Sequence, residues 1–194
     1  MSSTVRDRIL DTASQLFHRE GFRAVGIDRI VAESDVAKMS LYKHFPSKDD
    51  LIVAYLERRH NRWVEWFQTA ADRCHTANSH MEAFFAALSG WIDRQEGRGC
   101  PFINASLELT DPSHPARHVV AEHRAFVRQF VAEQLTADGR TPTAALLEAI
   151  GILVDGANVR SAMGIPDAAQ TAARLAQQIV DQARPSESPT HPIT

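Results

Sequence analysis

The sequence predicts an all-α fold, and three observations support this. Apolar residues recur three or four apart along almost the whole chain, while alternating runs of strand length are nearly absent. Gly, Pro, Asp and Ser fall between these stretches, where helices stop and restart. At 194 residues, 44% hydrophobic and 23% charged, the chain has the composition and length to bury a real core.

Nine helices follow in order: three small ones, then a longer bundle. The first runs from about Thr4 to Glu20, with Val5, Ile9, Ala13, Leu16 and Phe17 on one face, and Gly21 ends it. The second spans Ile27 to Ser34 and buries Ile27, Ile30 and Val31; Asp35-Val36 makes the turn. The third covers about Ala37 to His44. Ser47 then caps the fourth, whose first turn carries Asp49 and Asp50 at the positive dipole end, and which reaches about Ala70 or beyond. The fifth spans roughly Ser79 to Gln95 and breaks at Gly97-Arg98-Gly99-Cys100-Pro101. The sixth, about Phe102 to Leu109, stops at Asp111-Pro112. The seventh runs from near Pro115 to about Ala137, the eighth from near Pro142 to Gly164, and the ninth from Pro166 to about Arg184. Residues 185–194 are rich in Pro and Ser and read as a disordered tail. There is no internal repeat.

Composition narrows the function. Cys74 and Cys100 supply neither a disulfide framework nor metal-ligand CxxC spacing. No apolar run approaches the roughly 18–20 residues of a membrane span. The N-terminus lacks the apolar core of a signal peptide, so a cytoplasmic location is expected. The net charge of −3 excludes a protein that coats nucleic acid through bulk charge. Residues 1–60 hold 10 Lys+Arg against 9 Asp+Glu, so any nucleic-acid contact must come from local placement.

That placement is visible. All three lysines, Lys38, Lys43 and Lys48, lie within one short stretch, and the rest of the chain uses arginine. At 100° per residue, Leu41 and Phe45 share the buried side of the third helix with Ala37. Met39 and Lys43 then point away, flanked by Ser40 and Tyr42, with Lys38 and His44 at the borders, where their side chains can reach phosphates. Such a face suits a DNA major groove, where Lys43 can donate to guanine O6 and N7 and Met39 or Ser40 can touch neighbouring edges. Tyr42, His44 and Lys48 are better placed for the sugar-phosphate backbone. The backbone N–H groups of Gly26 and Ile27 open the second helix and can meet another phosphate.

These residues also form a longer pattern: Gly21-Phe22, Ile27-x-x-Ile30-Val31, then Val36-x-Lys38-x-Ser40-Leu41-Tyr42-x-His44-Phe45-x-Ser47-Lys48-x-x-Leu51. It resembles the N-terminal domain of TetR/AcrR-family transcriptional regulators over about residues 4–60, and the nine-helix layout agrees with that family along nearly the whole chain. The chain departs from the family pattern at Gly26, where a capping Thr or Ser is usual, and at Asp35, where a turn glycine is common. The resemblance implies a helix-turn-helix domain over residues 1–50 (the motif itself about 25–44) and a ligand-binding and dimerisation domain over 51–184. It also implies a homodimer on a quasi-palindromic operator, most simply a repressor released by a small-molecule effector of unspecified identity. No enzyme activity, metal or cofactor is implied.

Within that frame, the dimer contact is expected through the eighth and ninth helices. Their small and apolar stripes are Leu147, Ile150, Gly151, Val154 and Asn158, and Ala168, Ala172, Leu175, Ala176, Ile179 and Val180. An effector cavity is expected among Trp63, Trp66, Phe67, Phe84, Phe85, Trp91, Phe102, Phe126 and Phe130, with Asn104, Glu108, His118 and Asn158 as polar contacts. Effector binding should move the fourth helix and with it Lys48. Two other sensing devices are compatible with the residues. His114, His118 and Glu122 are four apart and can share a metal-facing side of one helix. Cys100 follows a glycine-rich break and precedes a helix, as a redox-sensing thiol would. A Cys100-dependent enzyme is the competing class, but no orienting acid or oxyanion hole stands at recognisable spacing.

Overall fold

The computed structural model describes residues 4–73, 79–95, 97–183 and 185. Among these residues the chain forms nine α-helices: α1 Val5–Glu20, α2 Ile27–Ser34, α3 Lys38–His44, α4 Lys48–Arg73, α5 His80–Asp93, α6 Pro101–Glu108, α7 Ala116–Ala137, α8 Ala144–Ala162 and α9 Ala168–Gln182. Cys74 and all but Pro185 of the expected tail lie outside the described residues. No helix among the described residues is long and apolar enough to cross a membrane.

Local chemistry sets the helix ends. Thr4 and Asp7 form a reciprocal capping box at the start of α1, with the Asp7 N–H donating to Thr4 Oγ1 at 3.1 Å. Gly21 closes α1 with φ 87°, and Asp35 closes α2 in the left-handed region at φ 52°. Ser47 accepts from the Asp50 N–H at 3.1 Å to open α4, and Ser79 and Thr143 do the same for α5 and α8. α9 begins at Ala168, two residues later than Pro166, because Asp167 takes a left-handed φ of 57°.

The described residues pack as two compact units. One holds the residues up to Val64 together with Arg98–Arg124; the other holds Glu65–Gly97 and the residues from Ala125 onward. By packing, then, the helix-turn-helix belongs to a unit larger than residues 1–50, one that also takes in the first part of α4, all of α6 and the start of α7. Its core joins Ile9, Leu16, Phe17 and Phe22 to Leu41, Phe45, Leu51, Tyr55, Phe102 and Val119. Phe17, Phe22 and Tyr55 meet with ring centroids 5.5–5.9 Å apart. Leu10 joins this core, whereas Val5 is exposed, and Ile27 and Val31 are only half-buried against it.

A polar seam ties α6 and the segment before it to the end of α1. Glu108 Oε2 accepts from the Phe22 N–H at 2.7 Å and the Arg23 N–H at 3.3 Å, while Arg23 Nε returns a bond to the Glu108 carbonyl at 2.9 Å. Arg98 Nε donates to the His18 carbonyl at 2.8 Å. The carboxylate comes so close that a Cβ on Gly21 would lie 2.8 Å from Glu108 Oε2. The positive φ favours glycine at this position, and a side chain there would have to displace the Glu108 carboxylate.

In the second unit α9 packs against α8 and α5. Ile150, Val154 and Asn158 of α8 and Ala168, Ala172, Ala176 and Val180 of α9 are all buried within this one chain. These residues of the two stripes therefore serve the chain's own interior, while Leu147 and Ile179 are half-buried and Gly151 and Leu175 stay exposed. The small alanines let α9 approach its own neighbours closely. Phe67, Phe84 and Phe130 cluster at centroid distances of 5.3–6.1 Å. Asp138 caps α5 from 58 residues away, accepting from the His80 N–H at 2.7 Å and the Met81 N–H at 3.0 Å.

Candidate nucleic-acid interface

The interface is built on α2 and α3. Leu41 and Phe45 are buried in the core of the first unit, which leaves the opposite side of α3 free for solvent. Met39 is 80% exposed; Tyr42, Lys43 and His44 are exposed and Ser40 is half-buried. Ala37 is exposed as the N-cap of α3 rather than sharing the buried face, because the helix starts one residue later and Val36 packs on the core instead. Gly26 opens α2 with an extended backbone (φ −93°, ψ 158°) and no side-chain cap, so the N–H groups at Gly26 and Ile27 begin the helix without one.

The three lysines occupy different environments. Lys43 is exposed at the centre of the face. Lys38 Nζ is held by Asp28 Oδ1 at 2.6 Å, and that hydrogen bond, reinforced by the carboxylate's charge, raises its pKa. Lys48 is half-buried at the start of α4; desolvation pushes its pKa down, opposed by the charges of Asp49 and Glu108. Asp28 therefore joins the candidate face, and sequence reasoning missed it. Ten residues and a turn separate it from Lys38, and no helical spacing links them. Arg6 was missed too: its guanidinium lies 5.1 Å from the Phe45 ring centroid, against the far side of the α3 terminus. Arg29 braces α2 by pairing with Glu20, at the end of α1, and with Glu33 at 2.8 Å.

The residues expected around an effector fall in both units. Trp63, Phe102, Asn104, Glu108 and His118 belong to the first; Trp66, Phe67, Phe85, Trp91, Phe126 and Asn158 belong to the second. Several have partners in the chain itself. Glu108 is the brace on Phe22 and Arg23; Asn104 Nδ2 donates to the Arg98 carbonyl at 3.0 Å; Asn158 Nδ2 donates to the Val154 carbonyl at 2.9 Å. His118 is exposed and pairs with Glu122 at 3.1 Å. His114 turns from that face to meet Asp49 at 3.3 Å, so the three potential metal ligands do not converge. Among the described residues no group of three His, Cys, Asp or Glu side chains is placed to hold a metal ion. Cys100 precedes α6 as its N-cap, half-buried against the core of the first unit.

The first unit also holds a polar pair the sequence did not reveal. His60 Nδ1 and His123 Nδ1 lie 3.1 Å apart. Phe102 stacks on the His123 ring at 3.6 Å, and Trp63 meets that ring edge-on at 5.5 Å. Burial, then the neighbouring His60, pushes the His123 pKa down to about 3.

Comparison with known proteins agrees with this geometry. The sequence profile of the family described as bacterial regulatory proteins, tetR family, matches residues 9–55, which take in most of α1, all of α2 and α3, and the start of α4. The HTH-type transcriptional regulator YjdC of Escherichia coli is 25% identical over 183 residues, covering 92% of this chain and 95% of that protein. The HTH-type transcriptional activator FasR of Mycolicibacterium smegmatis is 30% identical over 120 residues, which is 60% of this chain and 52% of that protein. The crystal structure of SCO4454, a TetR-family transcriptional regulator from Streptomyces coelicolor, superposes with a TM-score of 0.82 at 31% identity, covering 91% of this chain and 94% of that one. With that likeness running through both compact units and a solvent-facing reading helix in place, the chain belongs to the TetR family of DNA-binding transcriptional regulators.

Proposed function

We propose that this regulator reads a quasi-palindromic operator as a homodimer, one α3 per half-site in the major groove, and represses until a small-molecule effector releases it. The observation that carries the reading is the division of α3: Leu41 and Phe45 serve the core, while Met39, Tyr42 and Lys43 serve nothing within the chain's interior. Lys43 donates to a guanine edge, and Tyr42, His44 and Lys48 hold the flanking backbone with the N–H groups of Gly26 and Ile27. With so few cations per copy, one subunit alone binds weakly, and pairing supplies the affinity.

The dimer contact uses the surface that α8 and α9 leave uncovered. Ile152 is 64% exposed and Met163 71%, and Val159 and Leu175 are exposed beside them. At 100° per residue Ile152, Val159 and Met163 fall within about 40° of one another, a stripe suited to a second copy. The aromatic cluster of α4, α5 and α7 (Phe67, Phe84 and Phe130, with Trp66 and Trp91 nearby) is the preferred region for an apolar effector. In the test, sites are selected from random duplex DNA and binding is compared for wild type and Lys43→Ala. Loss of selected-site binding with an unchanged dimer in sedimentation supports the reading. Full retention of sequence-specific binding by Lys43→Ala refutes it.

A further inference from the structure

Among the described residues Met39 is the most exposed of the large apolar side chains, at 80%. It stands in the middle of the reading face, one turn before Lys43, and is exposed rather than among the core residues. Water alone gives no reason for an apolar side chain at this position. The major-groove edge of DNA presents one alkyl group, the C5-methyl of thymine, among its hydrogen-bond donors and acceptors. We infer that Met39 is a specificity-determining residue that packs on a thymine methyl in each half-site. This rests on the reading of α3 as the groove-entering helix and names what its apolar position recognises.

Geometry limits where that thymine lies. Four residues of α-helix advance about 6 Å, and successive bases are separated by about 3.4 Å. The thymine therefore stands one or two base pairs from the guanine that meets Lys43. Methionine has three rotatable bonds and a polarizable sulfur, so it can follow the methyl despite small differences in groove shape. Tyr42 and Ser40 flank Met39 with polar atoms and leave the apolar contact to it.

The experiment uses the full-length dimer and sites selected from random duplex DNA. Each thymine is replaced in turn by uracil, which pairs identically and lacks only the methyl. Wild type is expected to lose about fourfold in affinity at one position per half-site, and about fifteenfold when both half-sites are changed together, from the transfer free energy of one buried methyl. Met39→Leu keeps that sensitivity. Met39→Ala binds the thymine and uracil sites alike, with its dependence on the Lys43 guanine intact. A uracil-sensitive position that persists in Met39→Ala overturns the assignment, since the effect then belongs to DNA shape. Selected sites that need Lys43 but tolerate uracil at every thymine overturn it as well, leaving the reading of α3 standing. Selection that yields nothing dependent on Lys43 overturns that reading itself.

Discussion

Replacing Asp28 with Asn removes the carboxylate that holds Lys38 at 2.6 Å, and the effect should appear in DNA binding rather than in the fold. Both side chains are well exposed, so the pair contributes little to stability. What it does is neutralise a cation on the side of α2 and α3 proposed to face DNA. Asp28 also sits in the first turn of α2, where its charge opposes a phosphate approaching the N–H groups of Gly26 and Ile27. In Asp28→Asn, Lys38 is free to meet a phosphate, and two such contacts form per dimer. Each neutralised phosphate steepens the dependence of log K on log salt by about 0.9, so the slope should steepen by about 1.8. Between 50 and 200 mM salt that amounts to an additional loss of roughly twelvefold in affinity, with the variant the tighter binder at the low-salt end. Fluorescence anisotropy on a selected site across a salt series measures it, and Asp28→Asn combined with Lys38→Met should restore the wild-type slope. If Lys38→Met alone flattens the wild-type slope by about two, Lys38 already leaves Asp28 for phosphate on binding, and the reasoning fails. An Asp28→Asn slope equal to wild type refutes it equally.

Glu108→Ala should lower stability by about 1–3 kcal/mol, because it strips the buried turn at Phe22 of the acceptor for its N–H; a melting temperature within a degree of wild type would show that water replaces the carboxylate freely. The buried His123 should make the protein acid-sensitive. The unfolded chain takes up its proton near 6.5 and the folded chain only near 3, so stability is complete above pH 6.5 and is lost as pH falls toward 3. At pH 5 this single group amounts to ~2 kcal/mol, and His123→Phe should flatten the decline in melting temperature between pH 7 and 5; an identical decline would place the acid sensitivity elsewhere. Ile152→Glu puts a charge in the exposed stripe of α8 and should give monomers in sedimentation with an unaltered helical spectrum, whereas an intact dimer would move the interface off that stripe.

Much of the reading head was legible without coordinates. Seven residues from Lys38 to His44 suffice to show which side of α3 is apolar, because the helical period is a local property and the core side carries Leu41 and Phe45. Gly21 and Asp35 announced their turns for the same reason: each tolerates the positive φ the backbone takes there. The stripes of α8 and α9 were legible as stripes, but not which of their residues the chain itself covers. Two faces of α8 are apolar, and only the presence of α9 against one of them decides that Ile150 and Val154 are interior while Ile152 and Val159 are not. Lys38 shows the same limit. Its charge was evident, but its partnership with Asp28 depends on the angle at which α2 and α3 meet.

The sequence by itself determined the order of the helices among the described residues, most of their ends to within two residues, and the exposed placing of Met39, Tyr42 and Lys43, since local caps, φ preference and a 3.6-residue period act within a few neighbours. Only the tertiary structure decided that Glu108 braces the α1–α2 turn from 86 residues away, that Asp28 holds Lys38, and that His123 is buried beside His60 and Phe102. Hydrogen bonds, ion pairs and desolvation act over a few ångströms of space regardless of separation along the chain, so those partners exist only once the packing has brought them together.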